Sequence, residues 1–171
     1  LIRAALAEFE LPLEERNLHL ELDIPEAPFW VQCDGDRIIQ VLHNLLGNAL
    51  KFSPAGSTLR LSLRNTISLP AGLPGTWAVR LSGSAHPAGF AVISLADRGP
   101  GIPAEEKLKI FEKFHQVKRD GKRPGQGTGL GLAISRTIVE AHAGALWVQD
   151  NPEGGSIFYV VLPAENVVLD H

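Results

Sequence analysis

Cysteine is nearly missing from this 171-residue chain, and methionine is missing altogether. The lone Cys33 has no partner for an internal disulfide, and its isolation fits a reducing compartment. No apolar run reaches the length of a bilayer-spanning helix, and no basic-then-apolar leader opens the sequence. Charge of one sign is scarce too. Lys and Arg number 16 against 19 Asp and Glu, a formal net charge of -3, which argues against a sequence-independent nucleic-acid binder. No internal repeat is present. Beginning at Leu1 rather than methionine, the chain reads as a piece of a longer protein. What remains, 44% hydrophobic and 20% charged, suits one soluble globular domain able to bury a core without staples.

Glycine, by contrast, is concentrated in one run, Gly125-Gln126-Gly127-Thr128-Gly129-Leu130-Gly131-Leu132-Ala133-Ile134. From Leu130 the pattern turns apolar, with Leu130, Ile134, Ile138 and Ala141 at helical spacing and Gly144 as a C-terminal stop. A side-chain-poor loop therefore leads directly into a helix of about four turns. Unpaired N–H groups and the positive end of the helix dipole make such a junction an anion site, and phosphate is the natural candidate. Alone, the run also fits a helix that merely follows a flexible loop.

The rest of the chain supplies the other elements. Leu1, Ile2, Ala5, Leu6 and Phe9 mark an amphipathic helix running towards Arg16, with a disturbance at Pro12. Leu18, Leu20, Leu22 and Ile24 alternate with polar residues as a strand, and Phe29 to Val31 reads as a second short one. Asp34 is an N-cap for a helix from Gly35 to Phe52, with a core stripe of Ile38, Leu42, Leu45 and Ala49. Leu59, Leu61 and Leu63 mark a half-exposed strand. Residues 68–89 are rich in Pro, Gly, Ser and Ala and read as a loop insertion, with Trp77 to Leu81 extending a hairpin. Phe90 to Ala96 is a buried strand. Pro103 opens a helix carrying Glu105, Glu106, Leu108, Ile110 and Phe111, and residues 115–126 form a polar, basic loop. Leu146 to Val148 and Ile157 to Leu162 make a terminal hairpin. The expected fold is an α/β two-layer sandwich, a mixed sheet with helices on one face and little on the other.

Three places carry chemistry. Asn44, Asn48 and Lys51 share one stripe of the 35–52 helix. An Asn amide oxygen suits one position of a Mg²⁺ ion that keeps several waters, and a Lys one turn on meets phosphate oxygens as a point charge. Asp97 ends the buried strand, where an acid is costly unless it accepts hydrogen bonds, and Gly99 and Gly101 let a flat ligand approach the backbone. Lys118, Arg119, Lys122 and Arg123 stand just before the glycines, where their charge would add on a polyphosphate. Taken singly, each also fits a solvated face, a loop acid or a solvated loop. Gly99-x-Gly101-x-x-Ala104 imitates a dinucleotide fingerprint, but the acid expected about 20 residues on falls in the basic loop with no strand before it. The Gly-x4-Gly-Lys-Ser/Thr phosphate loop is absent.

In order, Asn44-Leu-Leu-Gly-Asn48-Ala-Leu-Lys51-Phe52, Asp97-x-Gly99-x-Gly101-Ile102, Ile110-Phe111-Glu112-Lys113-Phe114 and Gly127-Thr-Gly129-Leu-Gly131-Leu resemble the N, G1, F and G2 boxes of the catalytic ATP-binding domain of sensor histidine kinases. The resemblance spans essentially residues 1–171 and implies the Bergerat α/β sandwich, with a mobile ATP lid at 115–128. It implies ATP and Mg²⁺ as ligands. Asn48 would ligate the metal with Asn44 assisting, Lys51 and Arg123 would touch phosphate, and Phe52 would flank the nucleotide. Asp97 would accept the adenine amino proton in a pocket shaped by Gly99, Gly101 and Ile102. Gly127, Thr128, Gly129, Leu130, Gly131 and Leu132 would form the hinge and phosphate cradle, with Phe111 and Phe114 anchoring the lid base in apolar surface.

The related ATP hydrolases of this fold carry a Glu at the position of Asn44, where it activates water; Asn cannot take that proton. None of the six His lies in a His-Glu-x-x-x-Pro context, so the acceptor would sit elsewhere, and His43 reads as structural or solvent-facing. The implied function is donation of the ATP γ-phosphate to a His on a separate dimerisation domain of the same protein, with a response regulator downstream. The fragment would be monomeric, its parent homodimeric, cytoplasmic or anchored in the inner membrane. A degenerate protein-docking module without ATP and an ATP hydrolase of the same fold are the alternatives.

Overall fold

The computed structural model describes residues 1–26, 30–82, 89–117 and 127–164. The expected N-terminal helix is two helices, α1 (Ile2–Ala7) and α2 (Glu10–Glu15), with the break at Glu8 and Phe9 rather than at Pro12. A proline ring clashes with the carbonyl four residues back, so the chain breaks upstream and Pro12 falls in the first turn of α2, where its missing N–H is harmless. Next come β1 (His19–Asp23) and α3 (Gly35–Phe52). The latter is capped as expected, Asp34 Oδ1 accepting from Arg37 N at 3.1 Å. Of the second short strand, Phe29 lies outside the described residues and Trp30 makes only an isolated bridge.

The strands β2 (Thr58–Thr66), β3 (Phe90–Ala96), β4 (Ala145–Asp150) and β5 (Ser156–Pro163) complete a five-stranded sheet in the order β1-β2-β3-β5-β4. Only β1 and β2 are parallel. The dinucleotide fold needs parallel neighbours around its first strand, and β3 has antiparallel ones on both sides. Period-2 alternation turns Leu59, Leu61, Ala91, Ile93, Leu95, Leu146, Val148, Phe158 and Val160 to one face, against Ile38, Val41, Leu42, Leu45 and Leu46 of α3 and Ile138 and Val139 of α5 (Gly131–Ala141). Each such side chain contributes about 1.5–3 kcal/mol on full burial, which fixes the register of helix layer on sheet.

Three expectations are corrected here. The stretch expected to extend a hairpin is a helix, α4 (Gly75–Ser82), and the outer face of the sheet is partly covered. Trp77 and Leu81, four apart on α4, are buried with Phe90, Val92, Trp147 and Val161, while Leu69 and Leu73 pack on the same cluster. Gln149 Nε2 donates to Ala71 O at 3.1 Å, pinning the segment before α4 across the edge strand. Residues 104–111 are two 3-10 turns, Ala104–Glu106 and Lys109–Phe111, rather than one α-helix. Only Ile110 and Phe111 are buried there, too few to hold a helical register. Finally, α5 is 11 residues, about three turns, and Ala143 (φ 54°) takes the left-handed position after it. Gly144 is small for another reason: a Cβ there would meet Val161 O at 2.2 Å.

Candidate functional site

Between the end of β3, the C-terminal half of α3 and the N-terminus of α5 lies a cavity of about 510 Å³, within the roughly 300–1,000 Å³ of small-molecule sites. Asn48, Lys51, Phe52, Asp97, Gly101, Ile102, Gly127, Thr128, Gly129, Gly131 and Leu132, all proposed from the sequence, line it. Asn44, Gly99 and Leu130 do not. Arg123, with the basic residues 118–126 that make up most of the expected lid, lies outside the described residues.

At one end Asp97 is held by the sheet. Its N–H donates to Ser156 O at 2.9 Å, carrying the β3–β5 pairing one residue past β3. The side chain is 7% exposed. Oδ1 accepts from Gly99 N at 2.7 Å and from Ser156 N at 3.2 Å, and the backbone carbonyl accepts from Asn151 Nδ2 at 2.8 Å. A buried carboxylate fixed by backbone amides has its orientation set before any ligand arrives. Gly155 closes the turn over it at φ +95°, where a Cβ would lie 2.3 Å from Asp97 O and 2.7 Å from Oδ1. Gly99 sits between Asp97 Oδ1 and Phe52 O, behind the cavity wall rather than on it.

At the other end, Asn48 and Lys51 project from α3, with Lys51 Nζ 5.0 Å from the centroid of the Phe52 ring. Leu130, the N-cap of α5, makes no side-chain capping bond, and Gly131 and Leu132 of the first turn line the cavity together with Asn48, which puts the positive end of the helix dipole at this end of it. Thr128 Oγ1 accepts from Leu130 N at 3.3 Å and shapes the approach to the helix. The two sides of the lid base are tied together: Phe114 N donates to Gly129 O at 2.9 Å and Gln116 Nε2 to Gly127 O. Gly129 (φ +68°) permits this crossing, since a Cβ would meet Phe114 Cα at 2.8 Å.

The expected anchoring role of the two phenylalanines divides. Phe111 is buried, whereas Phe114 takes a left-handed backbone (φ 64°) and is 73% exposed. Its neighbour His115 lines the cavity with Nε2 against Glu106 Oε2. That contact, with Lys109 behind it, holds the Glu106 carboxyl below its ordinary value. His43 is half-buried: its ring stands edge-on to Phe9 at 5.4 Å and Nδ1 is 3.6 Å from Glu8 Oε2.

Sequence reasoning missed Gly155, Ser156, Asn151 and the wall residues Pro100 and Phe158, while the wall residues Gln116 and Val117 fall within the expected 115–128 lid. The Gly154-Gly155-Ser156 run was the available signal, a side-chain-poor turn that was read only as a hairpin connection.

Among the described residues no three His, Cys, Asp or Glu side chains gather to hold a metal. At the end between α3 and α5 the described side chains offer a hard neutral donor in the Asn48 amide. That suits Mg²⁺, a hard ion satisfied largely by water and phosphate oxygens.

Residues 33–166 match the family model described as histidine kinase-, DNA gyrase B- and HSP90-like ATPase. The chain is 35% identical over 163 residues to the sensor histidine kinase TmoS of Ectopseudomonas mendocina, which covers 95% of this chain and only 15% of that protein. The nucleotide-free catalytic domain of the histidine kinase ThkA superposes with a TM-score of 0.73 at 28% identity, covering 95% of this chain and 89% of that one. Full-length ShkA in complex with AMPPNP superposes at 0.69 and 26% identity, covering 95% of this chain and 29% of that one.

Proposed function

The chain belongs to the histidine kinase-, DNA gyrase B- and HSP90-like ATPase family, as the catalytic ATP-binding domain of a sensor histidine kinase, and from that premise we propose how its cavity works. It holds MgATP and presents the γ-phosphate to a His on a separate helical dimerisation domain of the same protein. The observation that carries the reading is the cavity's two-ended construction: a buried, pre-oriented acid at one end, and an uncapped helix N-terminus beside an Asn and a Lys at the other.

Asp97 accepts from the adenine amino group, and guanine, with an oxygen there, is rejected. Ile102 and Phe158 offer the base apolar wall, with Phe52 at the rim. The first-turn N–H groups of α5, Lys51 and Arg123 hold the phosphates. Asn48 would offer a protein oxygen to Mg²⁺, which would supply charge neutralisation of the phosphates. Phosphoryl transfer of this kind needs positioning and charge stabilisation more than covalent chemistry. Asn44, where the related hydrolases carry their base, offers none, and its amide hydrogens face α5. That favours a phosphoryl donor over a hydrolase.

A homodimeric parent, a downstream response regulator and a cytoplasmic setting complete the proposal. No helix among the described residues is long and apolar enough to cross a membrane. The test is transfer from γ-labelled ATP with Mg²⁺ to the parent's histidine-bearing helical domain. Label on histidine only when both pieces are present is expected. Equal phosphate release with or without the acceptor would make this a hydrolase, and absence of ATP binding would make it a docking module.

A further inference from the structure

Asn44 and Ser135 stand outside the cavity lining, yet they join the two helices that build its phosphate end. Ser135 is fully buried at 0% exposure, in the face of α5 that also buries Ala133, Ile138 and Val139. Nothing about packing asks for a hydroxyl there, because alanine would fill the same site without a polar atom to satisfy. The hydroxyl has a specific partner. Asn44 Nδ2 lies 3.0 Å from Ser135 Oγ and 3.1 Å from Gly131 O, so one amide group grips two successive turns of α5. Gly131 faces the same amide closely: a Cβ there would lie 3.5 Å from Asn44 Oδ1 and 3.6 Å from Cγ.

We infer that Asn44 and Ser135 form a positioning clamp that sets the first turn of α5 against α3, and that Asn44 acts through this clamp rather than as a ligand of metal or phosphate. Asn48 is one turn along α3 from Asn44, and Gly131 lies in the first turn of α5. Fixing the Asn44–Gly131 contact therefore fixes the gap between Asn48 and the uncapped N–H groups. A helix dipole falls off within its first turn, so a small slide of α5 weakens its hold on an anion. The clamp also bears on the hydrolase comparison. A carboxylate at position 44 could not donate to Gly131 O and would oppose it.

This rests on the ATP-binding reading, and the experiment separates the two. The full 171-residue chain and its S135A, N44A and S135A/N44A variants are titrated with AMPPNP, once with Mg²⁺ and once with EDTA, alongside N48A. Failure of the unmodified chain to bind AMPPNP in either condition sinks the ATP-binding reading itself. Given binding, S135A is expected to lose about fivefold in both conditions while still melting as a folded domain, the missing acceptor leaving one Asn44 N–H without its buried partner. N44A is expected to lose about tenfold in both, and the double variant no more than N44A alone, because the two share one interaction. N48A is expected to lose mainly the Mg²⁺-dependent part. Unchanged affinity in S135A, additive losses in the double variant, or an N44A loss confined to the Mg²⁺ titration would each overturn the clamp.

Discussion

Asp97→Asn is the sharpest test of the base-recognition end. In the native site Oδ1 receives two backbone N–H groups, from Gly99 at 2.7 Å and Ser156 at 3.2 Å. An Asn side chain keeps one carbonyl oxygen, and the local fold asks for it at that position because an NH₂ there would face two donors. The amide nitrogen is thereby turned towards the base, donor against donor. A hydrogen bond to a charged acceptor contributes about 1.5–3 kcal/mol, and leaving the facing donor unmatched adds about 1–2 kcal/mol. The total of about 3–5 kcal/mol corresponds to roughly 10²–10⁴ in affinity. Calorimetric titration with an ATP analogue and Mg²⁺ reads the loss directly, with a thermal melt confirming the fold. The same variant should lose its preference for ATP over GTP, since the amide N–H now facing the base opposes the adenine amino group and can donate to the guanine oxygen. If Asp97→Asn keeps native ATP affinity, the acid does not read the base and the orientation of nucleotide in the cavity is wrong.

Gly155→Ala is expected to damage the same end through the backbone, because its Cβ would sit 2.3 Å from Asp97 O at φ +95°. ATP affinity should fall at least tenfold with a loss of stability of about 1–3 kcal/mol, and a variant that binds and melts like the native chain would contradict the close approach. The Glu106 carboxyl is held below its ordinary 4.5 by the His115 hydrogen bond and then by Lys109. A depressed folded value contributes stability above about pH 4.5 that is lost as the pH falls through that folded value. Melting temperature followed from pH 6 to pH 3 should therefore drop more steeply in the native chain than in E106Q. Parallel curves would show the contact to be without thermodynamic weight.

How much of this was readable before the coordinates varies with how local the cause is. The long helix α3 announced itself through its cap and its apolar stripe, and β3 through an unbroken apolar run. The helix α4 did not, because Trp77 and Leu81 are its two anchors in a stretch of turn-forming residues, and what makes them helical is the hydrophobic surface of Val92 and Trp147 on distant strands. Gly144 was assigned the left-handed position that Ala143 takes; the glycine is needed instead for its approach to Val161. At the site, Asp97, Asn48 and Lys51 stood in recognisable spacing. Gly155 and Ser156 reach Asp97 only through the pairing of β3 with β5, a contact across about sixty residues that no local pattern records.

That pairing has a consequence for how the cavity is built. The acid end belongs to the sheet: Asp97 extends β3, and Ser156 begins β5 directly after Gly155. The phosphate end belongs to the helices: Asn48 and Lys51 on α3, Gly131 and Leu132 on α5. Base and phosphates would thus be held by different layers, and the distance between their binding groups is set by core packing, with Leu45, Leu46 and Val139 among the contacts that fix it. Densely packed interiors transmit a change of one methylene as a displacement rather than absorbing it. The hydrophobic core between the layers is therefore part of the binding apparatus. A nucleotide that reaches both ends would hold the layers at one spacing, which is why affinity and stability should rise and fall together in variants of that core.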